Sequence, residues 1–201
     1  MNYLAHLFLS GDDAESLIGN LAGDFVKGPL RDQLTPGIRD GIMQHRRVDA
    51  FTDTHPHVAA FRRVLIPDHG HYSRVISDIF FDHFLAVNFS TYSDEPLERF
   101  VDRVFQSMRD QPRPPLLARV FPYIPSWILS YRDIEGVHGA LTGVSRRLSR
   151  RPHLETATHH LIDSRAELEG RFQAFFPDVI AFTTEGTEGP DRSSSPPSPL
   201  W

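Results

Sequence analysis

The chain has 201 residues, 40% hydrophobic and 23% charged, with 21 basic against 26 acidic residues and no cysteine. That length and apolar content allow one packed domain and exclude disorder throughout, while the missing thiols exclude disulfide scaffolds, thiolate zinc, iron–sulfur ligation and a cysteine nucleophile. The net charge of −5 argues against nucleic acid as the partner, and no run approaches the roughly 18 apolar residues of a membrane span.

Met1–Ser10 (MNYLAHLFLS) is apolar but lacks a basic leading segment and a cleavage site, so the expected location is the cytoplasm. Apolar spacing is helical nearly throughout, which predicts an all-α, single-domain helical bundle. Residues 12–26 put Leu17, Leu21 and Phe25 on one stripe and Ser16, Asn20 and Asp24 on the next. Gly19 and Gly23 interrupt this helix at roughly 1 kcal/mol each, a cost that close approach by a neighbour or ligand would explain. Thr35 and Pro36 open a helix through Ile38, Ile42, His45 and Asp49 towards Asp53, ended by Pro56. A short helix over 57–65 is predicted to stop before Pro67. Ser73 then caps a strongly apolar helix, with Ile76, Ile79, Phe80, Phe84 and Val87 at core spacing. Residues 96–110 give another amphipathic helix, and five prolines from Pro112 to Pro125 break the next stretch of chain into short pieces. Helices resume over about 133–149 and 153–176. The Gly/Ser/Pro-rich stretch from Thr183 onward predicts a domain over 1–182 and a disordered tail over 183–201.

Three polar clusters interrupt these apolar helices. Asp78, Asp82 and His83 lie within the most apolar helix, where ionisable groups are costly unless paired, so they suit either a metal or catalytic site or a set of buried ion pairs. His45, Asp49 and Asp53 recur every fourth residue, and imidazole with carboxylates suits a divalent ion such as Mn²⁺ or Mg²⁺; an ordinary Arg46–Asp49 surface pair is the alternative. Asn2, His6, Asn20 and Asp24 form the third cluster. Within it Asp24, beside the space left by Gly23, is the candidate ligand, whereas Asn2 and His6 are read as structural hydrogen-bonders. His55, His57, His69, His71, His159 and His160 are weaker candidates, and surface positions are the better reading for most of them. No G-x-S-x-G, Walker A or G-x-G-x-x-G motif is present, so metal-assisted hydrolysis is the enzymatic chemistry these residues suit. A non-catalytic helical module binding an acidic partner is the contrasting reading.

Five ordered blocks carry a family resemblance: MNYLAHLFLS, SLIGNLAGDFVKG, GIMQHRRVDAFTD, the DxxxDHF of residues 78–84 and the YRD of residues 131–133. Together they resemble the acyl carrier protein phosphodiesterase family. The resemblance implies an all-α fold distantly similar to HD-type phosphohydrolases. It also implies a Mn²⁺-preferring hydrolase (Mg²⁺ as the alternative) that releases 4′-phosphopantetheine from holo-acyl carrier protein. The runner-up activity is an HD-like phosphohydrolase on nucleotides or small phosphoesters. Two departures stand out: none of the 11 histidines is followed by Asp, and Phe8 sits where the family's opening block often carries another His. Asp24 matches the acid of the family's N-L-x-x-D-F element and is the first expected ligand. His45, Asp82 and His83 come next, with Asp49 and Asp78 as further ligands. Arg46 and Arg132 are the expected cations for developing phosphoryl charge, with Arg47 beside them. Asp24 and Asp82 are the expected catalytic carboxylates.

Charge is divided along the chain. Residues 99–151 hold 10 basic and 4 acidic residues, and Arg146, Arg147, Arg150 and Arg151 crowd one run. That run is either solvated surface or a dock for an acidic carrier protein.

Overall fold

The computed structural model describes residues 1–30, 34–150 and 152–185. Among them the regular elements are all helical: α1 (Tyr3–Phe8), α2 (Ala14–Ala22), α3 (Pro36–Thr54), α4 (Pro56–His69), α5 (Ser73–Val87) and α6 (Phe89–Tyr92) come first. After these come α7 (Leu97–Met108), α8 (Pro115–Val120), α9 (Ile124–Ser130), α10 (Ile134–Arg147), α11 (His160–Asp163) and α12 (Arg165–Glu185), with 3-10 turns at Gly70–Tyr72, Phe121–Tyr123 and Leu154–His159. None of these helices is long and apolar enough to cross a membrane.

Capping chemistry sets the two helices that build the site. Asp13 Oδ1 accepts from Ser16 N at 2.9 Å to open α2, and Thr35 Oγ1 accepts from Ile38 N at 3.4 Å, ahead of Pro36, to open α3. The two helices then cross where neither has a side chain. A Cβ on Gly19 would lie 2.5 Å from Ile38 O and 2.7 Å from Gly41 Cα, so both glycines are needed for backbone-to-backbone contact.

α5 is central, as its apolar run predicts. Ile76, Phe80, Phe81, Phe84 and Leu85 are fully buried. Their rings meet Phe61 of α4, 4.8 Å from Phe81 between centroids, and Phe175 of α12, 5.4 Å away. Val87, the last residue of α5, is exposed where core burial is predicted. Ser73 is the first helical residue instead of the cap, because the preceding 3-10 turn runs straight into α5.

Two helices run past their expected ends. α4 continues through Pro67 to His69, and α12 continues through Pro177 to Glu185. Both prolines, and the residues four positions before them, are exposed, so water can satisfy the carbonyl that loses its helical partner. The segment 153–176 is three pieces, not one helix. Residues 183–185 of the expected tail are helical, and 186–201 lie outside the described residues.

Asp82 of α5 performs a structural task. Its Oδ2 accepts from Leu4 N at 2.8 Å and its Oδ1 from Ala5 N at 3.0 Å, supplying α1 with the cap that Asn2 does not provide. Burial pushes Asp82 up to about 7 despite those two bonds. A carboxyl that binds its proton more tightly when folded favours folding at low pH and loses that contribution as pH rises towards 7. Urea unfolding at pH 5 and pH 8 is therefore expected to show the native chain losing more stability over this interval than Asp82→Asn. Equal losses would refute the assignment.

Candidate metal centre

The α2–α3 crossing puts His45 against Gly23, one turn beyond the Gly19–Gly41 contact. A Cβ on Gly23 would lie 2.2 Å from His45 Cγ, so the imidazole rests where a side chain would otherwise be. His45 Nδ1 lies 2.8 Å from Asn20 O. A carbonyl oxygen only accepts, so Nδ1 carries the proton and donates it, and in the neutral ring Nε2 bears a lone pair. That Nε2 faces Asp49 Oδ2 at 3.1 Å and Asp24 Oδ1 at 3.7 Å.

α1 delivers His6 to the same place. It is 1% exposed and stacks on His45 with centroids 3.7 Å apart. His6 Nε2 lies 3.2 Å from Asp49 Oδ1 but out of hydrogen-bond alignment, and neither ring nitrogen has a hydrogen-bond partner. Burial and the neighbouring His45 push His6 down to about 3, so its ring is neutral at physiological pH. Burial alone would raise Asp49; the approach of His45 and His6 and the α-ammonium of Met1 override it and hold that carboxylate well below its usual range. The Met1 ammonium donates to Asp49 Oδ1 at 3.0 Å and lies 3.3 Å from Asp78 Oδ1.

The donor set fits a divalent ion. Ligand atoms of His6, His45 and Asp49 lie within 4.8 Å of one another. With its Nδ1 proton given to Asn20 O, neutral His45 turns a lone pair towards Asp49 Oδ2 at 3.1 Å, a contact that a cation between them would make favourable, and buried His6 has ring nitrogens without a hydrogen-bond partner beside the same carboxylate. The hydrogen bond from His45 Nδ1 to a backbone carbonyl is the kind of outer contact that orients a ligating imidazole.

The structure thus gathers Asp24, His45 and Asp49, places Asp78 at the edge, and adds His6, which sequence reasoning left as a hydrogen-bonder. The signal for His6 was one histidine in an apolar turn, the same pattern that a satisfied core histidine gives. Asp82 is occupied by the backbone of α1. His83 Nδ1 donates to Tyr131 O at 2.7 Å, so His83 stands apart from the cluster as well. Arg132 forms a two-point ion pair with Glu98, its Nη2 3.0 Å from Oε2, and lines a separate hollow beside α6. Arg46 sits close by: its Nη2 donates to Val26 O at 2.9 Å and Gly28 O at 2.8 Å, bracing the loop that carries Asp24.

Two hollows meet at Asp24. One, about 520 Å³, is open and bordered by Lys27, Arg46, His45 and Asp49. The other, also about 520 Å³, is mostly apolar, with Tyr3, Trp127 and Tyr131 facing α10. On α10, Gly139 and Gly143 have nothing within 4 Å of where a Cβ would stand, so their hydrogens border empty space. Arg147 lines this groove; Arg146 and Arg150 are exposed nearby in sequence, and Arg151 lies outside the described residues.

A family model described as acyl carrier protein phosphodiesterase matches residues 1–179. The chain is 33% identical over 186 residues to the acyl carrier protein phosphodiesterase of Escherichia coli O157:H7 (strain EC4115 / EHEC), covering 90% of this chain and 96% of that relative. It is 33% identical over 189 residues to the proteins of the same name from the O139:H28 (strain E24377A / ETEC) and K12 / DH10B strains, with the same coverages. No solved structure matches, and similarity to HD-type phosphohydrolases is not shown.

Proposed function

Because the chain belongs to the acyl carrier protein phosphodiesterase family, we propose that it hydrolyses holo-acyl carrier protein at the phosphodiester joining 4′-phosphopantetheine to the carrier's serine. The observation that carries this reading is the His6–His45–Asp49 cluster, with Asp24, lying between a cationic cleft and an apolar groove. Water's oxygen adds to phosphorus, the bond from phosphorus to the serine oxygen breaks, and the proton lost by water passes to that serine oxygen. Apo carrier protein and 4′-phosphopantetheine result.

His6, His45, Asp49 and Asp24 would hold the ion, for which we take Mn²⁺ over Mg²⁺ because Mg²⁺ dehydrates reluctantly and keeps several waters in place of protein ligands such as these two imidazoles. Bound there, it supplies Lewis-acid activation of the diester and of water. Neutral His6 and ionised Asp49 keep their lone pairs available, whereas carboxylates alone would repel the anionic diester. Lys27 and Arg46 bring positive charge to the cleft side, which favours the phosphoryl oxygens. The groove suits the pantetheine arm, with aromatic faces on one wall and the glycines of α10 on the other. Arg147 at the groove, with Arg146 and Arg150, gives an acidic carrier a favourable approach. We place the reaction in the cytoplasm.

Mass spectrometry of holo-carrier protein incubated with the enzyme and Mn²⁺ is expected to show loss of one phosphopantetheine, prevented by EDTA. Gly139→Leu with Gly143→Leu fills the groove and is expected to raise KM about tenfold with kcat little changed. Faster turnover of nucleotides or small phosphoesters than of the carrier would transfer the site to the HD-like phosphohydrolase reading. Absence of bound divalent ion, with carrier binding unaffected by Asp24→Ala, would leave a non-catalytic binding module.

A further inference from the structure

A second cluster lies where the end of α4 meets the turn before α11. Asp68 and His69 close α4, while His159 ends the 3-10 turn and His160 begins α11. One ligand atom from each of Asp68, His159 and His160 lies within 4.8 Å of the other two. Asp68 Oδ2 is 3.2 Å from His160 Nε2 and 3.6 Å from His159 Nε2.

His159 repeats the arrangement of His45. His159 Nδ1 donates to Thr156 O at 2.6 Å, which leaves its Nε2 with a lone pair in the neutral ring. His160 is 7% exposed, and its buried Nε2 has no hydrogen-bond partner even though the Asp68 carboxylate is near. His69 Nε2 is likewise buried and unpartnered, with its ring centroid 5.6 Å from that of His160. A hollow of about 440 Å³, bordered by Asp68, His69, His71, His153 and His159, opens onto the cluster and shares no residue with the groove or the cleft of the first site.

We propose that Asp68, His159 and His160 form a second metal site, selective for a borderline divalent ion of the Zn²⁺ type. Two imidazoles and one carboxylate match the ligand chemistry of zinc. The ion joins the end of α4 to α11, two segments distant in sequence, and so acts as a clamp on the fold. The histidines that looked like surface groups are ligands held apart from the reaction.

The test separates the two sites. His45→Ala removes a ligand of the first cluster, and after dialysis against Zn²⁺ this variant is expected to keep one equivalent by elemental analysis. Zn²⁺ at about 100 times its Kd is expected to raise its Tm by about 5–10 °C. Adding Asp68→Asn with His159→Gln, both at partly exposed side chains, is expected to abolish the bound zinc and the shift. Asp49→Asn serves as a second background in case His45→Ala does not fold. Zinc-free protein in both backgrounds, or zinc and a melting shift that survive Asp68→Asn with His159→Gln, would overturn the proposal.

Discussion

Asp49→Asn is expected to lower hydrolysis of holo-acyl carrier protein by about 10²–10³-fold or more, the loss typical when one preorganised electrostatic contact to a transition state is removed. Asp49 is the carboxylate on which the whole cluster converges: His6 meets one of its oxygens, at 3.2 Å, and His45 the other, at 3.1 Å. The amide keeps the shape but removes the charge, and its NH₂ can donate to a lone pair that would otherwise be offered to the ion. Metal content should therefore fall with activity while the helical circular dichroism signal stays unchanged. His83→Gln is the contrasting variant, because His83 is buried in α5 but bonds to the Tyr131 backbone instead. It should retain hydrolysis. An Asp49→Asn enzyme with native activity and native metal content would remove the cluster from the mechanism.

Gly23→Ala should be nearly as damaging to turnover, from a residue with no functional group. Its backbone is right-handed helical, at φ −52° and ψ −38°, where alanine is ordinarily favoured by about 1 kcal/mol. The added methyl, however, would sit 2.2 Å from His45 Cγ, so the ring must leave its place over the α2 backbone. Movement of a ligand by about 1 Å can cost on the order of 10²-fold in rate, and overpacking costs about 1–3 kcal/mol of stability. The expected pattern is a large fall in kcat/KM with a Tm lowered but the fold retained. Gly139→Ala, with open space at its Cβ, should leave Tm close to native. Native activity in Gly23→Ala would mean that the position of the His45 ring is irrelevant to catalysis.

Much of the architecture was legible because it is local. Thr35 with Pro36 predicted α3 closely, and the apolar run after Ser73 predicted the central helix, since caps and core spacing act within a turn or two. The exceptions also have local causes that depend on exposure. Pro67 and Pro177 are tolerated because their helices are solvated at those turns. The paired glycines of α2 were correctly read as sites of close approach, but whether the neighbour was backbone, ring or ligand was beyond a single helix to say.

The candidate site was legible only in part. His45 and Asp49 lie four residues apart on one helix, so their shared face follows from helical geometry. Asp24 followed from the small residue before it. Asp78, Asp82 and His83 look equivalent in sequence, yet Asp78 borders the Met1 ammonium, Asp82 caps α1 and His83 turns to Tyr131. A buried ionisable group must find a partner, and several partners satisfy it equally well in physical terms.

By itself, then, the sequence determined the all-α class, the main helices, the absence of thiol chemistry, the family and the shared helical face of His45 and Asp49, because composition, caps, ordered motifs and helical periodicity are properties of the chain alone. The tertiary structure decided that His6 joins them, that Asp82 and His83 do not, and that Asp68 meets His159 and His160. Those outcomes depend on which helix faces meet and which way each imidazole points its lone pair, and both are decided by packing between residues far apart in the chain.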